Sequence, residues 1–300
     1  MTVIVGYDGS KWARGAIGDL GRAGLPKDAQ AIVISATEPL IDPLVGYAPF
    51  VAVVPDDSGP RDESGTLAET AMNEAQRLAQ EGASLVRSVC PEWTVNWETS
   101  EDSPAHAIIG AATAHSADLI VVGSRGRSKL RRLLAGSVSQ EVMRSAHCSV
   151  RCVHEHTEHA GGPLRLIVAF DPAQMSQAVL REVATRRWHV GTTLCLLTVA
   201  TRQYALAVAG GPGSSGVWDT ADTTALEVLD AAGYRAEHIA RHGDATRLIM
   251  EEAQEWGADC IFITPGAFAA PGRAKVSPVT RSVCAAAPCS VEVVRGHGMT

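Results

Sequence analysis

Long apolar runs, paired cysteines and an excess of basic residues are all missing from this chain. No uninterrupted apolar stretch approaches the roughly 20 residues needed to cross a bilayer, and MTVIVGYDGS enters a strand pattern without the charged region and cleavage site of a signal peptide. No membrane association and a cytoplasmic location are therefore expected. The seven cysteines, Cys90, Cys148, Cys152, Cys195, Cys260, Cys284 and Cys289, are odd in number and include no CxxC pair. Free buried thiols are expected rather than a disulfide framework. Lys and Arg total 26 against 33 Asp and Glu, a net charge of −7, which argues against nucleic acid as a partner, because such binding rests on many cationic contacts to phosphates.

What is present is concentrated in residues 118–153, DLIVVGSRGRSKLRRLLAGSVSQEVMRSAHCSVRCV. Leu119 to Val122 is a continuous apolar run rich in branched side chains, the pattern of a strand buried on both faces of a parallel sheet. Gly123 and Gly126 follow with two residues between them, Gly136 and Ser137 come after nine more, and a helical period begins at Val138, Val142 and Met143. Strand, glycine loop and helix start together can bind an anion, since the first amides of a helix lack partners and lie at the positive end of its dipole. The glycines let backbone approach a ligand without a Cβ, and Ser137 adds a hydroxyl. Ser124, Arg125, Arg127 and Val138 complete the candidate set; Arg125, Arg127, Lys129, Arg131 and Arg132 either hold a phosphate chain or keep an exposed loop solvated. The competing reading makes the glycines turn residues and Ser137 an N-cap paired with Gln140.

Glycine, two residues, glycine, nine residues, glycine and Ser/Thr, set between DLIVVGS and CSVRCV, resembles the ATP-binding motif of the universal stress protein family. The resemblance implies an adenine nucleotide ligand, ATP or else AMP or cyclic AMP, with Mg or Mn as accompanying ion. It implies an adenine nucleotide α-hydrolase-like α/β fold: two tandem domains, each an open five-stranded parallel sheet with helices on both faces. The acidic residue closing the family's first strand lies against the nucleotide and its metal, and Asp8 stands there, followed by Gly9 and Ser10; its contact with metal would run through the phosphates. Asp8 or Ser10 can also cap the next helix. Matching Ile34-Ser35-Ala36 to the family's usual Leu-His-Val puts Ala36 at the adenine position, with Ser35 where the histidine would be. Adenine would then be held by backbone hydrogen bonds and apolar contact.

Along the chain, TVIVGYDGS is a short strand ending in Asp8, Gly9 and Ser10 that leads into an Ala-rich helix over 11–23, and 29–39 is a second strand. Residues 38–65 read as a long loop, and 63–88 as an amphipathic helix with Leu67, Ala71, Ala75, Leu78 and Ala79 on one face. TVNWETS is a third strand, and Ser103 with Pro104 starts the helix through Ile108 and Ala112. Alternating strands and helices imply a parallel sheet whose ligand lies beyond the carboxyl ends of the strands, where strand order reverses. Asp8, Ala36 and Gly123 all close strands at that edge.

The polar stretch HEHTEHAGGP follows, a linker in which His154, His156 and His159 read as solvated residues rather than metal ligands. Domains are thus expected at 1–154 and 164–300, joined by 155–163. After the linker the pattern restarts. LIVAFDPA repeats VIVGYDGS with Asp171 for Asp8, an offset of 163; DCIFITPG repeats DLIVVGSR and CSVEVV repeats CSVRCV, both at an offset of 141. At that offset Gly123 becomes Thr264, Gly126 becomes Ala267, Gly136 becomes Ser277 and Ser137 becomes Pro278. Pro278 removes an amide at the helix start, so the second copy keeps the fold and loses the site. One nucleotide per chain is expected, and Asp171, Val199 and Gly266 are not expected to bind one. GGPGSSG at 210–216 reads as a flexible loop.

The expectation is a stress-response protein acting as a nucleotide-dependent sensor or adaptor for an unknown protein partner. A nucleotide-free interaction module is the alternative, with slow ATP hydrolysis or autophosphorylation a further one; no catalytic residues are assigned. An enzyme cleaving ATP at the α-phosphate would carry SGGxDS, or HIGH with KMSKS, and DGSKWA is neither. The closing strands, 149–153 and 290–294, would lie at sheet edges open to another strand; in the family this edge pairs two copies, so a homodimer is expected, or pairing of the two domains with each other.

Overall fold

The computed structural model describes residues 1–37, 63–126, 136–154, 162–171, 177–200, 214–267 and 276–296, with side chains omitted over 63–67 and 214–222. The first half runs β1 (Thr2–Gly6), α1 (Lys11–Leu20), β2 (Gln30–Ala36), α2 (Glu63–Val89), β3 (Thr94–Ser100), α3 (Pro104–Ala114), β4 (Leu119–Gly123), α4 (Ser137–Ser145) and β5 (Ser149–Val153). The second runs β6 (Arg165–Phe170), α5 (Gln177–Thr185), β7 (Thr193–Ala200), α6 (Ser214–Ala231), β8 (Ala236–His242), α7 (Ala245–Glu255), β9 (Cys260–Ile263), α8 (Pro278–Ala286) and β10 (Ser290–Val293).

Each half is a five-stranded parallel sheet, ordered β3-β2-β1-β4-β5 and β10-β9-β6-β7-β8. The closing strands are not free edges. β5 and β10 pair antiparallel, so the two sheets join as one of ten strands. The strand order reverses at β1, which lies between β2 and β4 and so opens a crevice beyond the carboxyl ends of β1 and β4.

Central strands such as β1 and β4 are apolar on both faces because helices cover both. On one face a single core runs through both halves, from Ile4, Ile32 and Ile120 to Ile167, Ile261 and Val291. On the other face the cores stay apart, one around Val5, Ile17 and Val121 and another around Val168, Leu180 and Phe262. All seven cysteines are buried and free. No described helix is long and apolar enough to cross a membrane.

Two local readings change. Ser214 to Gly216, expected in a loop, form the first turn of α6; residues 210–213 lie outside the described residues. Ser103 is the N-cap of α3 but its side chain makes no capping hydrogen bond. Its amide donates to Asp102 Oδ1 at 2.6 Å, and Pro104 supplies the fixed first turn.

Candidate functional site

The end of β1 is held from both sides. Tyr7 donates its amide to Ile34 O at 2.9 Å, and Ser35 Oγ donates to Tyr7 O at 2.6 Å. Ser35 is buried, and its hydroxyl ties the end of β2 to that of β1. Tyr7 Oη donates to Glu81 on α2 at 2.6 Å and receives Arg14 Nε at 3.2 Å. Burial, and then the Glu81 hydrogen bond, push the Tyr7 phenol above its ordinary pKa; the Tyr7 and Arg14 hydrogen bonds hold Glu81 below the usual carboxylate range.

Asp8 follows at the crevice. Its Oδ1 accepts the Ser10 amide at 3.0 Å, and Ser10 Oγ accepts the Ala13 amide at 3.1 Å, capping α1. Of the two capping candidates, Ser10 is the one used. Gly9 has φ +74°, and a Cβ there would lie 2.7 Å from Leu78 Cδ2, so both the left-handed turn and the approach of α2 call for glycine. Ala36, half-buried, ends β2 and packs toward the core containing Ile34 and Ile108.

β4 delivers the glycine segment beside Asp8. A Cβ on Gly126 would lie 3.0 Å from Asp8 Oδ2, which brings two separate stretches of sequence into one site. Gly123 has a different cause. Its Cβ would fall 2.8 Å from the Trp12 carbonyl carbon and 2.9 Å from Trp12 Cβ, so its lack of a side chain lets α1 pack on β4. Trp12 escaped the sequence reading, where it was one residue of a helical turn; its ring also carries Arg125, whose guanidinium carbon lies 5.1 Å from the ring centroid, and Lys11 Nζ at 4.5 Å. Arg127, Lys129, Arg131 and Arg132 lie outside the described residues.

The loop is pinched at its base, where Gly136 donates its amide to Ser124 O at 2.8 Å. Ser139, buried, adds Oγ donation to Gly136 O at 3.0 Å. Gly136 is the N-cap of α4 and makes no side-chain capping bond, so the Ser137–Gln140 capping box does not form. Ser137 is exposed at the first helical position, followed by half-buried Val138. Beside them Ser124 is 2% exposed, and its Oγ has no hydrogen-bond partner among the described residues. A buried hydroxyl left without a partner costs free energy, and a phosphate oxygen at the open helix start would satisfy it. At its other end α4 is braced by the second half: Arg295 donates to Met143 O, and to Cys148 O at 3.1 Å.

The second half keeps the pinch and closes the helix start. Ser277 donates its amide to Pro265 O at 2.7 Å, as Gly136 does to Ser124, but Ser277 Oγ turns in to accept the Thr280 amide at 3.0 Å. Pro278 occupies the first helical position and has no amide to offer. Thr280 Oγ1 donates to Thr264 O at 2.9 Å.

Asp8 stands as a single carboxylate; among the described residues no group of three or more His, Cys, Asp or Glu is placed to hold a metal ion. A separate groove of about 350 Å³ lies at the outer edge of the sheet, lined by Ile32, Arg87, Trp97, Glu98 and His115 among others, outside the Asp8 cluster.

Comparison with known proteins follows the same division. The universal stress protein family matches twice, over residues 1–154 and 164–295. A universal stress protein of Methanocaldococcus jannaschii is 35% identical over 112 residues, 37% of this chain and 61% of that protein's own length. Another from Thermus aquaticus is 32% identical over 156 residues, 51% of this chain and 97% of the relative. Among solved structures, a universal stress protein from Archaeoglobus fulgidus covers 98% of both chains with TM-score 0.64 and 18% identity. The functionally unknown protein PA1789 of Pseudomonas aeruginosa covers 98% of this chain and 92% of its own, with TM-score 0.58 and 15% identity. At such identities the structural likeness establishes fold.

Proposed function

The chain belongs to the universal stress protein family, and we propose that it is a cytoplasmic sensor or adaptor that binds one adenine nucleotide, ATP first among them, in its first half. The reading rests chiefly on one contrast between the helix starts: α4 opens on an uncapped glycine, whereas α8 opens on a capping serine and a proline; a buried hydroxyl without a partner among the described residues stands beside each, Ser124 in the first half and Thr264 in the second. The phosphate chain would lie on the amides of Ser137 and Val138, where the helix dipole favours negative charge, with Ser124, Gly126 and Arg125 beside it. Asp8, across from Gly126, would meet the phosphates through a Mg or Mn ion rather than directly, since two anions repel. Gly9 and Ser10 would form the floor of the crevice, Ala36 would contact adenine, and Arg127 would extend the cationic side.

Phosphate at the Gly136/Ser137 helix start is proposed to order the loop over 124–135, of which 127–135 lie outside the described residues, and so to change a surface that a partner protein reads. The domain division at 1–154, 155–163 and 164–300 is part of the same proposal. If whole chains also form a homodimer, pairing by strand addition would use the outer edges, β3 or β8, because β5 and β10 already pair with each other.

Calorimetric titration with ATP and Mg tests this. About one site per chain is expected; two sites would overturn the reading of the second half, and no binding would leave an interaction module. Substituting bulky residues at Gly136 and Ser137 should abolish the heat in a still-folded protein.

A further inference from the structure

On the sheet face that carries α1 and α5, where the two apolar cores stay apart, the seam between them is charged. Arg151 on β5 and Glu292 on β10 are directly opposed in the antiparallel register. They are 1% and 0% exposed. They are also equivalent residues of the repeat, separated by the same offset of 141, so the axis relating the halves passes between them. Arg151 Nη1 donates to Glu292 Oε2 at 2.9 Å and its Nε donates to Asp19 on α1. Arg186, just after α5, donates Nη1 to Glu292 Oε2 at 2.9 Å and to Ala23 O at 2.9 Å, and Nη2 to Glu292 Oε1.

A buried ion pair of this kind adds little net stability over an apolar replacement, yet a like-charge mismatch in its place is expensive. What such a pair can add is discrimination between partners. Two first halves meeting along β5 would bring Arg151 against Arg151, each keeping Asp19 of its own half and losing Glu292. Two second halves meeting along β10 would bring Glu292 against Glu292, each keeping Arg186 of its own half and losing Arg151.

A steric device points the same way. Gly24, with φ +67°, leaves room for Trp188 from the second half: a Cβ on Gly24 would lie 2.8 Å from Trp188 Cε3. Arg187, next to that tryptophan, donates its amide to Gly24 O at 2.9 Å. The offset of 163 between Asp8 and Asp171 also relates Gln30 to Thr193 at the starts of β2 and β7, so Gly24 corresponds to Arg187 and Leu25 to Trp188. Two second halves would press Trp188 onto an arginine, and two first halves would leave a gap where the indole sits.

We infer that the β5–β10 face is a heterotypic lock, which admits the opposite half of this chain and rejects a second copy of the same half. The second half, which lacks the glycine motif, is then a dedicated docking partner for the first. This inference is independent of nucleotide binding.

The test uses full-length protein carrying a protease site within 155–161, folded and then cut, with the products mixed in mild urea and diluted back. Native mass spectrometry counts like and unlike pairs. For the wild-type sequence unlike pairs are expected, with like pairs below about a tenth of the total. Glu292→Gln with Trp188→Leu keeps side-chain shape at one position and places the first half's residue type at the other. That variant should raise pairs of second halves about tenfold, which corresponds to 1.4 kcal/mol, with the uncut protein's circular dichroism unchanged. Abundant like pairs in wild type, or none gained in the double variant, overturns the lock. If that variant fails to fold, Glu292→Gln alone is scored by the same count, against an expected rise of about threefold.

Discussion

The backbone of Trp12 stands where a side chain on Gly123 would begin, 2.8 Å from the position of its Cβ. The first glycine of the motif is therefore fixed by packing of α1 on β4. Gly123→Ala should destabilise the protein by about 1–3 kcal/mol, the usual cost of forcing extra volume into a packed contact. Thermal unfolding is the measurement, made without nucleotide. An unchanged melting temperature would return Gly123 to a purely ligand-facing role.

Gly136 and Ser277 occupy the same place at two helix starts, one open and one capped. Gly136→Ser with Ser137→Pro copies the second half into the first. A Cβ at 136 would stand 3.2 Å from Ser124 O, a tight fit that small shifts can absorb, and the second half already holds a serine there. The variant should keep its melting temperature and lose at least about tenfold in ATP affinity, because charge-assisted hydrogen bonds of about 1.5–3 kcal/mol lose their donors. Paired calorimetry and thermal unfolding separate this from general damage.

Much of this arrangement was legible in the chain because it is local. The run at Leu119 to Val122, the glycine spacing and the proline at 278 each carry their meaning within a few residues, and the repeat offset exposes what the second copy lacks. What stayed hidden depends on contacts distant in sequence. Ser35 read only as a missing histidine, and its hydroxyl turned out to hold Tyr7 O, a bond between neighbouring strands. Trp12 stood only as one residue of a helix-forming stretch, and its contact with Gly123 appears once β4 is placed against α1. Likewise CSVRCV and CSVEVV showed a repeat, while the opposition of their central Arg151 and Glu292 appears only once β5 and β10 are in register.

Glu81 joins α2 to the end of β1 through Tyr7 and to α1 through Arg14 at 2.7 Å. Its pKa is held down in the folded protein, first by the Tyr7 hydrogen bond and then by Arg14. A depressed carboxylate stabilises the fold above its unfolded pKa, about 4.3, and that contribution is lost as pH falls through the folded value. Glu81→Gln should thus melt below wild type at pH 7, with the gap narrowing steadily below about pH 4.3. Thermal unfolding across about pH 3 to 7 is the check; a gap that widens in acid contradicts this sign.

The cysteines give a prediction about reactivity. Burial pushes the Cys90 and Cys148 thiols up to about 11, and Cys195 and Cys260 up to about 12. Cys284 rises further, first through its hydrogen bond with Cys152 and then through burial. Only the thiolate attacks disulfides and alkylating reagents, so raised values and lack of access act together to slow both. A chromogenic disulfide reagent at about pH 8, near the ordinary thiol pKa, should find fewer than one fast thiol per native chain and all seven after denaturation. Fast labelling of a single native thiol, located by peptide mapping, would identify a place where the core opens to solvent, and Cys152 with Cys284 would be the pair to examine because they lie across the seam between the halves.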